Sequence, residues 1–280
     1  MDAVHLVFFA LAAFSAGTID AIAGGGGLIQ LPAMLVGLPQ EPVATVLGTN
    51  KLSSVFGTAS AAVNYARGKR LDFRLAIPMT LFAASGSALG AFLATSIPSN
   101  VFKPVILFFL VAVAIYTFRK PEFGVSESLK FTRRRALILG SAIGLIIGFY
   151  DGAIGPGTGS FLVFALVAIL GYEFLRASAI AKMVNVGTNL AAIAVFGIHG
   201  SMILWLGLTM AFFNVAGSLV GSRLAIRGGS RLVRKIFLVV LVIPDGALRL
   251  GSLLNAQVLN SHGCAVFFAM QLQLNRRNYA

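Results

Sequence analysis

Cysteine occurs once, at Cys264, so the chain closes no internal disulfide and builds no cysteine-paired metal site. Charge is scarce too: 11% of the 280 residues are charged, against about 25% in an average soluble domain. There is no Walker-type phosphate loop, no HExxH pair and no Ser, His and Asp grouping at a nucleophile elbow, which excludes the motif-bearing ATPases and hydrolases and leaves no catalytic residue to name. The three histidines, His5, His199 and His262, stand singly, where loop or surface roles outweigh metal ligation. Neither a metal nor a cofactor is implied. Strand-like alternation is missing as well, which argues against a membrane barrel.

What is present is apolar sequence, 58% of the chain, with a mean hydropathy of +0.89. Several runs reach the roughly 20 residues that a helix needs to cross the hydrocarbon core, so the expected fold is an all-α membrane protein, a polytopic helical bundle whose first partner is the lipid bilayer. The opening MDAVHLVFFALAAFSAGTIDAIA has no Lys or Arg ahead of its apolar run and no small-residue cleavage pattern, which predicts a retained helix over a signal peptide. A net charge of +13 can signal nucleic acid. Membrane topology explains it better, and no nucleic-acid partner is expected.

The chain repeats itself. An offset of 131 residues carries Asp20 onto Asp151, Gly24 onto Gly155 and Lys51 onto Lys182, and the same register joins Met79 to Met210, Gly86 to Gly217 and Gly90 to Gly221. Basic residues then orient the halves, because short loops rich in them stay cytoplasmic. Arg67, Lys69, Arg70 and Arg74 crowd one loop, and Arg119, Lys120, Lys130, Arg133, Arg134 and Arg135 crowd the central linker. The counterpart of the first loop, IHGSMILW, has no cation, whereas the counterpart of the nearly neutral SIPSN turn carries Arg223, Arg227, Arg231, Arg234 and Lys235. The swapped bias predicts two inverted repeats with the N-terminus outside.

Five segments are expected per half: 4–23, 28–38, 43–66, 75–96 and 101–118, then 136–153, 157–170, 177–198, 202–224 and 231–248. LIQLPAMLVGL, at about 16 Å of helix, is too short to cross alone and is read as a broken or re-entrant element. Pro244, Asp245 and Gly246 should weaken the last helix. The domain reading is therefore 1–118 for the first repeat, 119–135 for a basic cytoplasmic linker, 136–248 for the second repeat and 249–280 for a divergent tail.

Each half places an aspartate four residues before a glycine-rich break, Asp20 before Gly24 to Gly27 and Asp151 before Gly155 to Gly159. The helix that resumes offers free N–H groups, a ready anion site, to which Gly25, Gly26 and Gly157 would contribute. An ionised aspartate at the bilayer centre costs at least about 2.5 kcal/mol, so Asp20 and Asp151 should face the interior. There they could couple protons, cap the next half-helix, or pair within each half, Asp20 with Lys51 and Asp151 with Lys182. Lys51 and Lys182 interrupt apolar helices, and Thr49, Asn50, Asn185 and Asn189 give their surroundings hydrogen-bonding capacity suited to a sulfonate or carboxylate. Snorkelling to the interface is the bland alternative for both lysines. Glu41, Glu173 and Arg176 read as solvated loop charges, and Tyr150 and Trp205 as interfacial anchors.

At these residues the chain resembles the sulfite-exporter family TauE/SafE, in its YfcA-like branch. The resemblance rests on GTIDAIAGGGGLIQLPA, GTNKLSS, GFYDGAIGPGTGSF, AIAKMVNVGTN and GSRLAIRGGSRLVRKIFLVV, and covers residues 5 to 242. It implies a permease of the bacterial inner membrane that exports small sulfur-containing or organic anions, with the substrate of this branch unassigned. After Val242 the sequence leaves the family pattern. The reading is a secondary transporter of a small anion, coupled or not to protons, working by alternating access. A passive anion channel and a transport-inactive membrane protein with an altered C-terminus are the alternatives. The expected direction of flux is outward.

Overall fold

The computed structural model describes residues 3–68, 71–98 and 127–261, with side chains through Val233. Among them there is no strand. Eight α-helices follow in order: α1 Ala3–Ala23, α2 Gly27–Gly37, α3 Val43–Arg67, α4 Phe73–Ser96, α5 Arg133–Ala153, α6 Thr158–Ala165 continued by a π-helical turn Leu166–Leu170, α7 Phe174–Ile198 and α8 Leu204–Ser261. The expected segment 101–118 and linker residues 119–126 lie outside the described residues, as does the tail beyond Ser261.

The distribution of side chains is that of a protein in lipid. Leu81, Leu89, Ile146 and Phe212 are more than 60% exposed while Lys51, Lys182 and Asp151 are buried, the reverse of a soluble domain. Among the described residues, five helices are long and apolar enough to cross a membrane: Val4–Ala23, Phe73–Ser96, Arg133–Ala153, Phe174–Ile198 and Leu204–Val233. α3, with 25 residues, is long enough but too polar to qualify, because it carries Thr49, Asn50, Lys51, Ser53 and Thr58 inward. α2 and α6 are the short apolar elements expected after the two breaks.

Two seams of backbone contact hold the bundle. α4 and α5 run parallel, with Gly144, Gly148 and Gly152 of α5 against the carbonyls of Met79, Ala83 and Ser87. Gly86 and Gly90 return the contact against Leu145 and Phe149. A second parallel seam joins α1 to α8, where Gly17 meets the carbonyl of Asn214, Gly217 that of Phe14 and Gly221 that of Thr18. Small residues let helix backbones approach where lipid offers no hydrophobic drive to pack. The offset of 131 converts the second seam into the first, contact for contact. It also converts the bond from Ser218 to the Gly57 carbonyl into that from Ser87 to the Thr188 carbonyl.

α3 and its counterpart α7 run antiparallel. Gly48 near the start of α3 lies against Phe196 near the end of α7, while Tyr65 at the end of α3 and Ser178 at the start of α7 both bond to the end of α1, at the Ala21 and Ile22 carbonyls. These directions are consistent with inverted halves.

Two boundaries differ from expectation. The turn expected around 225–230 is a single non-helical residue, Gly229, with φ 63° and ψ −169°, inside the long α8. The helix also continues through Pro244, Asp245 and Gly246 to Ser261 rather than ending near 248. A proline removes one ladder hydrogen bond, a local loss that a cooperative helix of this length absorbs. Two compact units result, Met1–Val240 and Leu241–Ala280, the second described as helical backbone through Ser261.

Candidate functional site

The glycine breaks bring the two halves together. Gly24 opens the first with φ 79° and Gly155 the second with φ 92°, a left-handed turn that residues with a Cβ resist. The backbones of Gly24 and Gly159 then touch, and Ser160 donates its N–H to the Gly24 carbonyl at 3.1 Å and its hydroxyl to the Ala23 carbonyl at 3.1 Å. Tyr150 braces the second break, its hydroxyl donating to the Pro156 carbonyl at 2.7 Å with its ring edge-on to Phe161. It is a strut there rather than the interfacial anchor expected.

This meeting of breaks sets each aspartate under the lysine of the other half. Lys51 Nζ lies 2.6 Å from Asp151 Oδ2, and Lys182 Nζ lies 2.9 Å from Asp20 Oδ2. Pairing within each half is thus corrected to pairing across halves. The reason is that each break packs against the antiparallel long helix of the opposite half. Capping is corrected as well: the N-cap positions of α2 and α6 are the glycines Gly26 and Gly157, and among the described residues Asp20 accepts from the Thr58 hydroxyl while Asp151 Oδ2 accepts no hydrogen bond. Snorkelling is excluded for both lysines by burial, Lys51 at 3% exposure and Lys182 at none. Lys182 Nζ and Asp151 Oδ2 meet their partners by distance but off hydrogen-bond direction, so charge attraction rather than a directed bond holds them. Thr58 adds a hydroxyl to Asp20 Oδ2 at 3.2 Å.

Between the pairs is a cavity of about 30 Å³ with no apolar side chain on its wall, room for roughly two waters or one compact ion. Its lining repeats under the offset: Asp20 with Asp151, Gly24 with Gly155, Gly26 with Gly157, Ser54 with Asn185 and Thr58 with Asn189. Neither the Gly26 nor the Gly157 N–H donates to an acceptor among the described residues. Asn50 Oδ1 and Asn185 Oδ1 are buried with no hydrogen-bond partner, so both amides hold unused capacity at the wall.

Of the residues singled out in the sequence, the structure gathers Asp20, Asp151, Lys51, Asn50, Asn185, Asn189, Gly26 and Gly157 on this cavity. Lys182 sits behind it, joined through Asp20, and Gly25 does not line it. Thr49 turns away: its hydroxyl donates to the Thr45 carbonyl at 2.7 Å and accepts from the Ile203 N–H at 2.9 Å, tying α3 to the start of α8. Thr49→Val should therefore lower stability by about 1–2 kcal/mol by stranding that N–H while leaving transport unchanged, which a thermal melt paired with a flux assay will check.

Sequence reasoning missed Asn214 on α8, which reaches the cavity and donates Nδ2 to Gln30 Oε1 of α2 at 2.8 Å. Its offset counterpart is Ala83, so the repeat pointed away from it. A lone amide amid MAFFNVAG was the available signal. Glu173 and Arg176 are also not free loop charges. Arg176 bonds Glu127 at 2.7 Å and reaches Asp72 at 3.5 Å, and Glu173 accepts from Ser230 at 3.0 Å. No group of His, Cys, Asp and Glu among the described residues could hold a metal ion.

The family model described as sulfite exporter TauE/SafE matches residues 9–244. A protein of Sinorhizobium sp named "Probable membrane transporter protein ORF9" is 41% identical over 240 residues, 85% of this chain and 90% of its own length. A "Probable membrane transporter protein" of Haemophilus influenzae is 36% identical over 228 residues, 81% of this chain and 88% of its own. "Probable membrane transporter protein YfcA" of Escherichia coli K12 is 32% identical over 239 residues, 84% and 86% respectively. No solved structure matches the chain.

Proposed function

The chain belongs to the sulfite exporter TauE/SafE family, and from that premise, a multi-pass membrane transporter rather than an enzyme, we propose that it moves a small anion, sulfur-containing or organic, by alternating access between inverted halves. The direction is outward across the bacterial inner membrane, with the N-terminus outside and the linker 119–135 cytoplasmic between repeats 1–118 and 136–248. The observation that carries this reading is the pair of crossed ion pairs around a cavity with no apolar side chain on its wall. Buried charge inside a membrane bundle is costly and marks a substrate or proton path.

Crossed pairing also supplies a coupling step. While Asp151 is ionised it holds Lys51 Nζ, and an entering anion must compete with a carboxylate for that cation. A proton on Asp151 removes the competitor, so Lys51, with the Asn50 and Asn185 amides and the Gly26 and Gly157 N–H groups, turns to the anion. Anion and proton then cross together, so that outward flux runs down the anion's own gradient and carries a proton with it. The lining fits only a compact ion until the halves part, which favours a carrier over an open pore.

The test is flux in proteoliposomes of sulfite, sulfate, sulfoacetate, acetate and phosphate, each with and without an imposed pH gradient. Saturable flux of one anion that responds to the gradient is expected. Gradient-independent, unsaturable flux would instead identify a channel.

A further inference from the structure

A second cavity, of about 600 Å³, lies at the end of the bundle where α4 and α5 begin, and the transport site does not use it. Its floor is the bonded cluster already met: Tyr172 donates to Asp72 Oδ2 at 2.9 Å, and Arg176 is held by Asp72 and Glu127 and stacks over the Tyr172 ring. That arginine is committed to two carboxylates, so the floor is formally net negative and offers an anion no free charge. The segment before α5 forms one side, fixed by Ser128 N–H to the Gly171 carbonyl at 2.8 Å and Lys130 Nζ to the Ala168 carbonyl at 2.6 Å. Apolar wall comes from Phe73, Leu75, Leu129, Phe131 and Leu137.

Two further cations line it, Arg74 and Arg133, and neither has a carboxylate partner among the described residues. They stand in the first turns of the candidate spans Phe73–Ser96 and Arg133–Ala153, the depth at which lipid phosphates lie. Below the cavity the apolar surface continues down the outside of α4 through Phe73, Ile77 and Leu81, 50%, 47% and 64% exposed, and onto Ile138 of α5. A water-soluble anion has no use for that track, and a zwitterionic lipid gains little from two unpaired arginines.

We propose that this cavity is a site for an anionic phospholipid, its phosphate taken by Arg74 and Arg133 and its acyl chains laid along the Phe73, Ile77, Leu81 stripe. Charge complementarity and continuity with the lipid-facing surface select the occupant. Bound there, the lipid ties the start of α4 in the first half to the start of α5 in the second. The site is independent of which anion is transported.

The full chain, purified in detergent, is titrated with phosphatidylglycerol and with phosphatidylcholine of the same acyl chains, and lipid retention is read by native mass spectrometry beside the melting temperature. Phosphatidylglycerol should be retained several-fold better and should raise the melting temperature more. The Arg74→Gln, Arg133→Gln double variant should bind it roughly tenfold or more weakly, as two arginines near an anionic surface imply, while an Arg223→Gln, Arg227→Gln control keeps it. Equal retention of the two lipids by the unaltered protein overturns the proposal. So does undiminished retention by the first variant, and so does protection by inorganic phosphate equal to that by phosphatidylglycerol, which would mark a soluble-anion site.

Discussion

Lys51→Met is expected to destabilise the folded protein by about 3–5 kcal/mol, and the loss should be recovered by Asp151→Leu in the same chain but not by Asp20→Leu. Removing the lysine strands a carboxylate whose side chain is 6% exposed, whereas replacing both partners by apolar groups of similar volume is often neutral. The mirror experiment, Lys182→Met, should be recovered by Asp20→Leu alone. Its initial loss should be smaller, because Asp20 is 17% exposed and keeps the Thr58 hydroxyl. Unfolding in detergent measures both, and pairing within halves would give the opposite rescue pattern. The rescued Lys51→Met, Asp151→Leu protein should fold and fail to transport, which separates the pair's structural part from its functional one.

Gly148→Leu should cost about 3 kcal/mol or more, the upper range for overpacking, and leave little monodisperse protein after size exclusion. A Cβ there runs into the Ala83 carbonyl, and backbone cannot yield as a side chain can. Gly217→Leu should fail equally, because its Cβ meets the Phe14 carbonyl across the matching seam. Gly200→Ala is the control: it has open space around it, so only its φ of 65° is penalised, at roughly 1–2 kcal/mol.

Most helices were legible because their apolar runs are bounded by glycine, proline or basic residues, and the described bounds of α1, α2, α3 and α4 lie within about two residues of the predicted ones. The breaks were legible because glycine and aspartate recur together at one offset. What the offset could not supply was contact between halves. It equates Lys51 with Lys182 yet is silent on which aspartate either meets, and that depends on the antiparallel crossing of α3 and α7. It also hid Asn214, whose counterpart is an alanine. Thr49 was misplaced for a local reason: two residues from Lys51 is about 200° around a helix, so their side chains leave opposite faces. Tyr150 carries the amphipathic signature of an interface residue and Arg176 that of a solvated loop charge, and only tertiary contacts show them bracing a break and a loop.

The most direct test of the central claim, that Lys51 is handed from Asp151 to a transported anion by protonation, is the pH dependence of flux in the unaltered protein and in Asp151→Asn. Sulfate and sulfoacetate serve, since their own charge is constant around neutral pH. The account expects flux of one of them to rise as pH falls in the unaltered protein and to lose that dependence in Asp151→Asn, where no carboxylate competes for the lysine. An equal pH slope in both proteins, or no flux of either anion, would contradict it.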